Sequence, residues 1–498
     1  MRTPRSALLS LFALGLSPAS PAQEHAFPWP ETRAGVLART WFEALEKGTD
    51  EASAAFERAH RAASELARRS VEERVKSASQ RRAQFAGLRP QRVLESQDLS
   101  LVLVARAASE DAPAYRLAFT LEPAEPHKLV VLEIRPFDPD EPSLGTYEQW
   151  KDLADLLTQV RRDAKLPAMA AALVRGAEIV DAAAVGVRAE GSEEPVALGD
   201  RFHVGSVTKS MTATMIAKLV EEGVFGWDLT VAQALPSIEK NEAYGPATMA
   251  QLLRHRAGLQ PHTAMNPLVM AAVGAHAGQP MQQRAAFLEL VLNEEPTGKL
   301  GEHFEYSNAG YTLAAGMAEA RAKSSWEELM QQKLFLPLAL RSALIGWPAD
   351  KGREAAPRGH FAERGKRRVQ SFGEYDLGGH IGPAGDVACS IEDFASFARF
   401  HLQGLKGKDG FLRAETVRTL HQAAEGGGLR YAAGWVLQER EGTAVHWHNG
   451  SAGTFFAQVE LEPASDLAVV VATNAGDGRA ACEKVAEVVR RKFRGQAK

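Results

Sequence analysis

A serine and a lysine three residues apart, Ser206 and Lys209, stand where an apolar helical pattern begins. Side chains at this spacing are neighbours on one helix face. A serine hydroxyl is a weak nucleophile near neutral pH, and an amine whose pKa is lowered by burial can take its proton. The N–H groups at a helix N-terminus suit a developing oxyanion. The pair therefore predicts a nucleophile with its base.

A second polar stretch, Phe304–Tyr311, contains Tyr306 and Asn308. Residues two apart in an extended segment point to the same side. A phenol held near an ammonium can have a lowered pKa and can pass a proton to a leaving group. We expect Tyr306 to share acid and base duty with Lys209, and Asn308 to offer its amide to the lysine and to substrate.

The third stretch, His448-Asn449-Gly450-Ser451, lies in a predicted strand near the C-terminus. A glycine on an edge strand allows the backbone of a substrate to approach. A cation beside it would bind an acidic group, and the next N–H would complete an oxyanion hole. We expect His448, Gly450 and Ser451 to bind substrate together with Asn308.

In this order the three motifs resemble those of the penicillin-recognising serine hydrolases of the class C β-lactamase type. That family also contains penicillin-binding proteins, D-Ala-D-Ala carboxypeptidases, D-aminopeptidases and esterases. The resemblance covers about residues 148–495 and includes the segments Leu252–Leu259, Gly382–Gly385 and Tyr431–Trp435. It implies an antiparallel sheet flanked by helices, an all-helical subdomain, and a site in the cleft between them.

The resemblance also implies residue roles. Ser206 would be acylated, Lys209 and Tyr306 would act as acid and base, and the N–H groups of Ser206 and Ser451 would form the oxyanion hole. His448 stands where many members have lysine, and Asn449 replaces the usual hydroxyl residue. A neutral imidazole attracts a carboxylate less than an ammonium does, so cleavage of an ester, amide or D-amino-acid peptide bond is favoured over efficient β-lactam turnover.

Three alternatives stay open at this stage. The protein could be a true class C-type β-lactamase or D-Ala-D-Ala carboxypeptidase, or a catalytically weak binding protein of the same fold. His446 and His448 share one face of a strand and could begin a zinc site, but no acidic residue or cysteine has convincing spacing to complete it. We therefore expect neither a metal nor a cofactor.

Composition sets the remaining limits. The 498 residues carry a formal charge of −4 and are 45% hydrophobic and 24% charged, which is typical of globular proteins and gives no electrostatic reason to expect nucleic acid. Cys389 and Cys482 are far apart in sequence, which favours two separate buried thiols. We expect a small-molecule or peptide substrate and no membrane-spanning segment.

The chain divides by pattern into three parts. Residues 1–22 are typical of a secretory signal peptide, with Arg2 and Arg5 before a short apolar run, which predicts a secreted or periplasmic protein. Residues 23–145 predict helices followed by an antiparallel meander, a small α+β domain that resembles cystatin-like folds of the nuclear transport factor 2 type and could dock a protein or ligand. Residues 146–498 predict the hydrolase domain, so the fold class is α+β.

Overall fold

The structure is a computed structural model that describes residues 27–82, 85–107, 113–122, 125–137, 145, 147–263, 266–363, 366–424, 429–440 and 442–493. The predicted signal peptide lies outside these residues. The described chain forms two compact units. The first contains the residues up to Ala62 together with Val71–Phe137, and the second contains Ala63–Ser70 and the chain after Phe137. The predicted boundary at residue 145 lies a few residues further along.

The first unit combines helices with a four-stranded antiparallel sheet in the order β1-β2-β3-β4. Gly48 ends α1 in the left-handed conformation and Thr49 caps α2, as its sequence predicts. Strand β1 is absent from the sequence prediction because most of its residues are exposed, so no buried alternation marks it. The helices and strands up to residue 137, including α3 of the second unit, are α1 (Arg33–Lys47), α2 (Asp50–His60), α3 (Ala63–Arg68), α4 (Val71–Arg81), β1 (Arg89–Gln97), β2 (Ser100–Arg106), β3 (Ala114–Leu121) and β4 (Leu129–Pro136).

The second unit continues with a helix, a hairpin and then the helix that follows the predicted nucleophile. Its first half contains α5 (Leu153–Asp163), β5 (Ala168–Arg175), β6 (Glu178–Gly186), β7 (Arg201–His203), α6 (Thr208–Glu221), α7 (Val231–Ala234), α8 (Met249–Leu253), α9 (Pro267–Gly274), α10 (Pro280–Val291), α11 (Asn308–Ala322) and α12 (Trp326–Met330). Its second half contains β8 (Leu344–Ile345), β9 (His360–Glu363), β10 (Lys366–Val369), α13 (Gly382–Gly385), β11 (Val387–Ser390), α14 (Ile391–Leu405), α15 (Ala414–Leu420), β12 (Val436–Arg440), β13 (Thr443–Ser451), β14 (Phe456–Glu462), β15 (Leu467–Thr473) and α16 (Arg479–Phe493).

A six-stranded antiparallel sheet in the order β12-β13-β14-β15-β5-β6 forms the centre of this unit. Strand β5 is an almost unbroken apolar run because both of its faces are covered. Met169, Ala171 and Leu173 pack with α5 and α16, whereas the alternate residues Ala170 and Ala172 belong to the larger core that includes α6 and α14. Together with the helices, this sheet confirms the predicted α+β class.

Helix α6 passes through the larger core. Eleven of its residues are buried, including the polar residues Thr208, Ser210, Thr212 and Thr214. A helix buried on all sides must satisfy each polar side chain internally. The hydroxyl of Thr212 donates to Pro383 O (2.8 Å) and that of Thr214 donates to Ser210 O (2.7 Å). These bonds fix the helix that follows the predicted nucleophile.

Some details differ from the sequence prediction. Strand β13 is covered by β12 up to Trp447, so only its end, residues 448–451, extends beyond β12. The first C-terminal strand begins at Val436, just after Gly434 turns the chain at φ +82. Cys389 and Cys482 are free, buried thiols in different clusters, as expected. No helix in the described part of the chain is long and apolar enough to cross a membrane.

A buried ionic cluster joins three helices and a loop of the second unit. Arg284 of α10 donates to Glu319 of α11 (Nε–Oε1, 3.1 Å), to Glu327 of α12 (Nη1–Oε1, 2.8 Å) and to Gly379 O (2.8 Å). The side chain of Arg284 is 1% exposed and that of Glu319 is 7% exposed. Removal of the cation would therefore leave the buried carboxylate of Glu319 without its main partner and without access to water.

We expect Arg284→Met to lower the free energy of unfolding by about 3–5 kcal/mol, the usual result of breaking a buried ion pair by removing one partner. Urea denaturation of the full chain measures it. Arg321→Met, at an exposed position of α11, is the matched control and should stay within about 0.5 kcal/mol of the parent. Equal losses in the two variants would contradict a stabilising role for the cluster.

Candidate active site

Ser206 lies in a single 3-10 turn, Gly205–Val207, between strand β7 and helix α6. Gly205 has φ +52, in the left-handed region where glycine is unstrained. The turn places Lys209 in the first turn of α6, and its Nζ lies 3.1 Å from Ser206 Oγ. The predicted pair is thus brought together, with the hydroxyl half-buried and the amine without exposed surface.

Lys209 has three hydrogen-bonding partners. Besides Ser206 Oγ, its Nζ contacts Asn308 Oδ1 (2.8 Å) and Ala384 O (2.8 Å). Burial holds the pKa of the amine well below its usual value of 10.5. A neutral amine has two N–H donors and one lone pair. In that form the donors would serve Asn308 and Ala384, which can only accept at these atoms, and the lone pair would be left to accept the hydroxyl proton of Ser206.

Asn308 is held by both ends of its amide. Its Oδ1 accepts from Lys209 and its Nδ2 donates to His262 O (3.0 Å). The residue begins α11, and Ser307 caps that helix by accepting from Gly310 N (3.2 Å). Asn308 therefore orients the lysine, in agreement with one of the two roles predicted for it.

Tyr306 is half-buried beside the same amine, with Lys209 Nζ 4.8 Å from its ring centroid. Burial raises the pKa of Tyr306 to about 12, and a hydrogen bond with Ser206 opposes that rise. The expected lowered phenol pKa was wrong, because burial disfavours the charged phenolate more than the hydrogen bond with Ser206 favours it. Tyr306 is protonated near neutral pH, which suits a proton donor.

Two glycines let the nucleophile turn and strand β13 touch through their backbones. A Cβ on Gly450 would lie 2.1 Å from Val204 O and 2.3 Å from Ser206 N. A Cβ on Gly205 would lie 2.4 Å from Ser451 N. The space at Gly450 that the sequence assigned to substrate is thus filled by the nucleophile turn. The close approach brings the amide nitrogens of Ser206 and Ser451 near each other, as the two donors of one oxyanion hole must be.

The end of β13 is kept in place by its own turn. Residues 448–451 pair with β14 but extend beyond the last residue that pairs with β12. The hydroxyl of Ser451 donates to Phe455 O (2.7 Å) and accepts from Gly453 N (3.1 Å). These two hydrogen bonds therefore fix the position of the Ser451 amide.

His448 is 4% exposed and both of its ring nitrogens have partners. Nδ1 lies 2.6 Å from Asn449 O, which only accepts, so Nδ1 carries the proton and Nε2 accepts from the Tyr431 hydroxyl (2.9 Å). Burial lowers the pKa of His448 to about 3. The expectation that a cation at this position binds an acidic group does not fit such an environment.

The side chain of His446 contacts other histidines and does not form a metal site with His448. Its Nδ1 lies 3.0 Å from Nδ1 of His421, whose Nε2 lies 3.0 Å from Nδ1 of His401. Burial is the main cause that lowers the pKa of all three histidines. Among the described residues no group of three or more His, Cys, Asp or Glu side chains could hold a metal ion.

Sequence reasoning missed Tyr431 as a residue of the site and gave His255 only a structural role. The ring centroid of His255 lies 4.4 Å from that of Tyr306 and 4.5 Å from that of Tyr431. His255 Nδ1 accepts from Ser307 N (3.1 Å) rather than bonding the last helix carbonyls. The role is structural, as expected, but it acts directly behind Tyr306. The signals for this cluster were the segments Leu252–Leu259 and Tyr431–Trp435 of the resemblance and the aromatic residues of Phe304–Tyr311.

With this geometry in place, known proteins give a consistent comparison. The family model described as beta-lactamase matches residues 153–489. Penicillin-binding protein 4 of Amycolatopsis lactamdurans is 24% identical over 341 residues, which cover 66% of this chain and 86% of that protein.

Solved structures share the fold of the second unit. The octameric penicillin-binding protein homologue from Pyrococcus abyssi superposes with a TM-score of 0.58 at 22% identity, covering 68% of this chain and 77% of that one. EstCE1, a hydrolase with promiscuous acyltransferase activity, superposes with a TM-score of 0.56 at 17% identity. The match covers 68% of this chain and 98% of EstCE1. Because the family model matches more than half of the chain, the protein belongs to the beta-lactamase family of serine hydrolases and penicillin-binding-protein homologues.

Proposed function

We propose that the protein forms an acyl-enzyme on Ser206 and hydrolyses ester, amide or D-amino-acid peptide bonds, with a preference for uncharged substrates. One observation carries this proposal. The amine of Lys209, which has no exposed surface and a depressed pKa, lies 3.1 Å from the hydroxyl of Ser206. A neutral amine at hydrogen-bond distance is the activation that a serine nucleophile needs.

In the acylation step, Ser206 Oγ bonds to the substrate carbonyl carbon as its proton passes to Lys209. The oxyanion accepts from the amides of Ser206 and Ser451. When the bond to the leaving group breaks, Tyr306 gives its proton to that group and Lys209 returns a proton to Tyr306. Water then attacks the acyl-enzyme with the same groups acting in reverse. The depressed pKa of Lys209 and the raised pKa of Tyr306 support these two roles.

The preference for uncharged substrates follows from the residues around the nucleophile. A carboxylate that leaves water needs a cation or several donors. None of the four predicted substrate-binding residues, Asn308, His448, Gly450 and Ser451, carries a positive charge near neutral pH, since the pKa of His448 is about 3. Lys209 is already committed to Ser206, Asn308 and Ala384.

Two separate assays test the proposal: labelling with a fluorophosphonate, and hydrolysis of esters by the unlabelled protein. The probe should react at Ser206, and Ser206→Ala should abolish labelling. For the 4-nitrophenyl esters of valeric and glutaric acid, which differ by a terminal carboxylate, we expect kcat/KM to favour the neutral ester by at least about tenfold, the loss from one unmatched charge-assisted hydrogen bond.

Two results would contradict the proposal. Labelling that survives Ser206→Ala, or none in the parent, would exclude the acyl-enzyme and favour a binding protein of this fold. Preference for the anionic ester, with turnover of the β-lactam nitrocefin, would favour recognition of a carboxylate, as in a β-lactamase or carboxypeptidase.

The charge state of Lys209 has a second, independent consequence for stability. Its pKa is about 10.4 in the unfolded chain and lower in the fold, so between these values folding releases a proton and is penalised more as the pH falls. The free energy of unfolding of the parent minus that of Lys209→Met should therefore rise with pH between pH 7 and 9, by at most about 1.4 kcal/mol per pH unit. Urea denaturation across this range measures it.

Lys218→Met is the matched control, because Lys218 lies on the same helix with 27% of its side chain exposed, beside Glu222. Its difference from the parent should not change with pH. A difference for Lys209→Met that is also constant would show that the lysine keeps its charge in the fold, and would remove it as the base.

A further inference from the structure

A buried histidine and a carboxylate stand directly behind the nucleophile turn. His203, the last residue of β7, has no exposed surface and stacks on Trp347 with ring centroids 4.4 Å apart. Its Nδ1 accepts from Gly205 N (3.2 Å), and its Nε2 lies 3.1 Å from Asp386 Oδ1. Neither residue belongs to the three motifs that drew attention to the site.

The chemistry of the two contacts assigns the tautomer. A backbone N–H can only donate, so Nδ1 of His203 presents its lone pair to Gly205. The proton of the neutral ring is then on Nε2 and is donated to the carboxylate of Asp386. Asp386 therefore keeps the ring in the tautomer that accepts from Gly205. This bond holds the one residue of the turn whose φ is positive.

Asp386 lies on the segment that also holds the base. Ala384 O accepts from Lys209 Nζ, and Val387 bonds twice to the nucleophile segment, through its O to Val204 N (2.9 Å) and through its N to Thr208 Oγ1 (3.0 Å). The His203–Asp386 contact thus closes a connection between the turn that carries Ser206 and the segment that orients Lys209. A shift of either side would change the distance between hydroxyl and amine.

We propose that His203, oriented by Asp386, is a positioning residue that sets the turn at Gly205 and thereby the contact of Ser206 with Lys209. The proposal rests on the proposed function, because the reaction that it positions is acylation of Ser206. Among the described contacts His203 makes no hydrogen bond with Ser206, Lys209 or Tyr306. It acts through the backbone of Gly205, so it is not a catalytic residue.

Two substitutions separate positioning from simple packing. His203→Phe keeps an aromatic ring against Trp347 but removes the acceptor for Gly205 N. His203→Asn places an amide oxygen at the position of Nδ1 and so retains that acceptor. His203→Phe alone leaves the carboxylate of Asp386 without its imidazole partner. The double variant His203→Phe, Asp386→Leu removes this carboxylate as well, and it is used instead if the single variant does not fold.

The readouts are the fluorophosphonate labelling rate of Ser206, kcat and KM for 4-nitrophenyl valerate, and the distance between Ser206 Oγ and Lys209 Nζ in crystal structures of the variants. We expect His203→Phe to lower the labelling rate and kcat by about 10–100-fold with little change in KM, since a displacement of about 1 Å costs about that much. His203→Asn should recover most of the loss. Trp347→Phe, which keeps a ring on His203, is the matched control and should react like the parent.

Unchanged labelling by His203→Phe, or equal losses in the phenylalanine and asparagine variants, would overturn the proposal. So would a Ser206–Lys209 distance that stays near 3.1 Å in His203→Phe. The crystallographic distance does not depend on activity, so it still decides the positioning role if the parent is not labelled, a result that would overturn the proposed function alone.

Discussion

The buried amine of Lys209 is the constraint on which the rest of the site depends. An ammonium without exposed surface would need compensating charge, and its hydrogen-bonding partners here are a hydroxyl, a side-chain amide and a backbone carbonyl. Neutral partners do not offset the loss of hydration that burial imposes, so the pKa falls and the amine becomes a base. Burial thus supplies the activation of Ser206 at some expense of stability, a trade that is common at functional sites.

Much of the fold serves to keep that amine dry and aligned. Helix α6 is buried on nearly every side, and Thr208 and Thr212 bond to the segment 383–387. On the opposite side of the nucleophile, Gly205 and Gly450 allow two backbones to touch where any side chain would clash. The hydroxyl, the base and the two amides are therefore fixed by four separate chain segments rather than by one loop.

The residues that carry chemistry were recognisable in the sequence wherever the signal is local. Ser206 and Lys209 are three residues apart, and Tyr306 and Asn308 are two apart, so their proximity follows from the geometry of a single segment. Alternating strands and capped helices were predictable for the same reason. Strand β1 was missed because its side chains are mostly exposed and carry no pattern.

The sequence could not show contacts between distant segments or the charge states that burial determines. His203 and Asp386 are 183 residues apart and no periodicity joins them. The sequence could not show that His448 is buried and bonded to Tyr431, because both are tertiary features. The direction of the pKa shift of Tyr306 likewise depended on its burial, which the sequence does not state.

Neutron diffraction from a deuterium-exchanged crystal at neutral pH tests the central claim most directly, because it locates the protons on Lys209 and Ser206. A neutral base predicts two deuterons on Nζ, directed at Asn308 Oδ1 and Ala384 O, and a hydroxyl deuteron on Ser206 directed at Nζ. Three deuterons on Nζ, with one directed at Ser206 Oγ, would contradict the account, because the lysine would then be a donor to the serine and not the base that activates it.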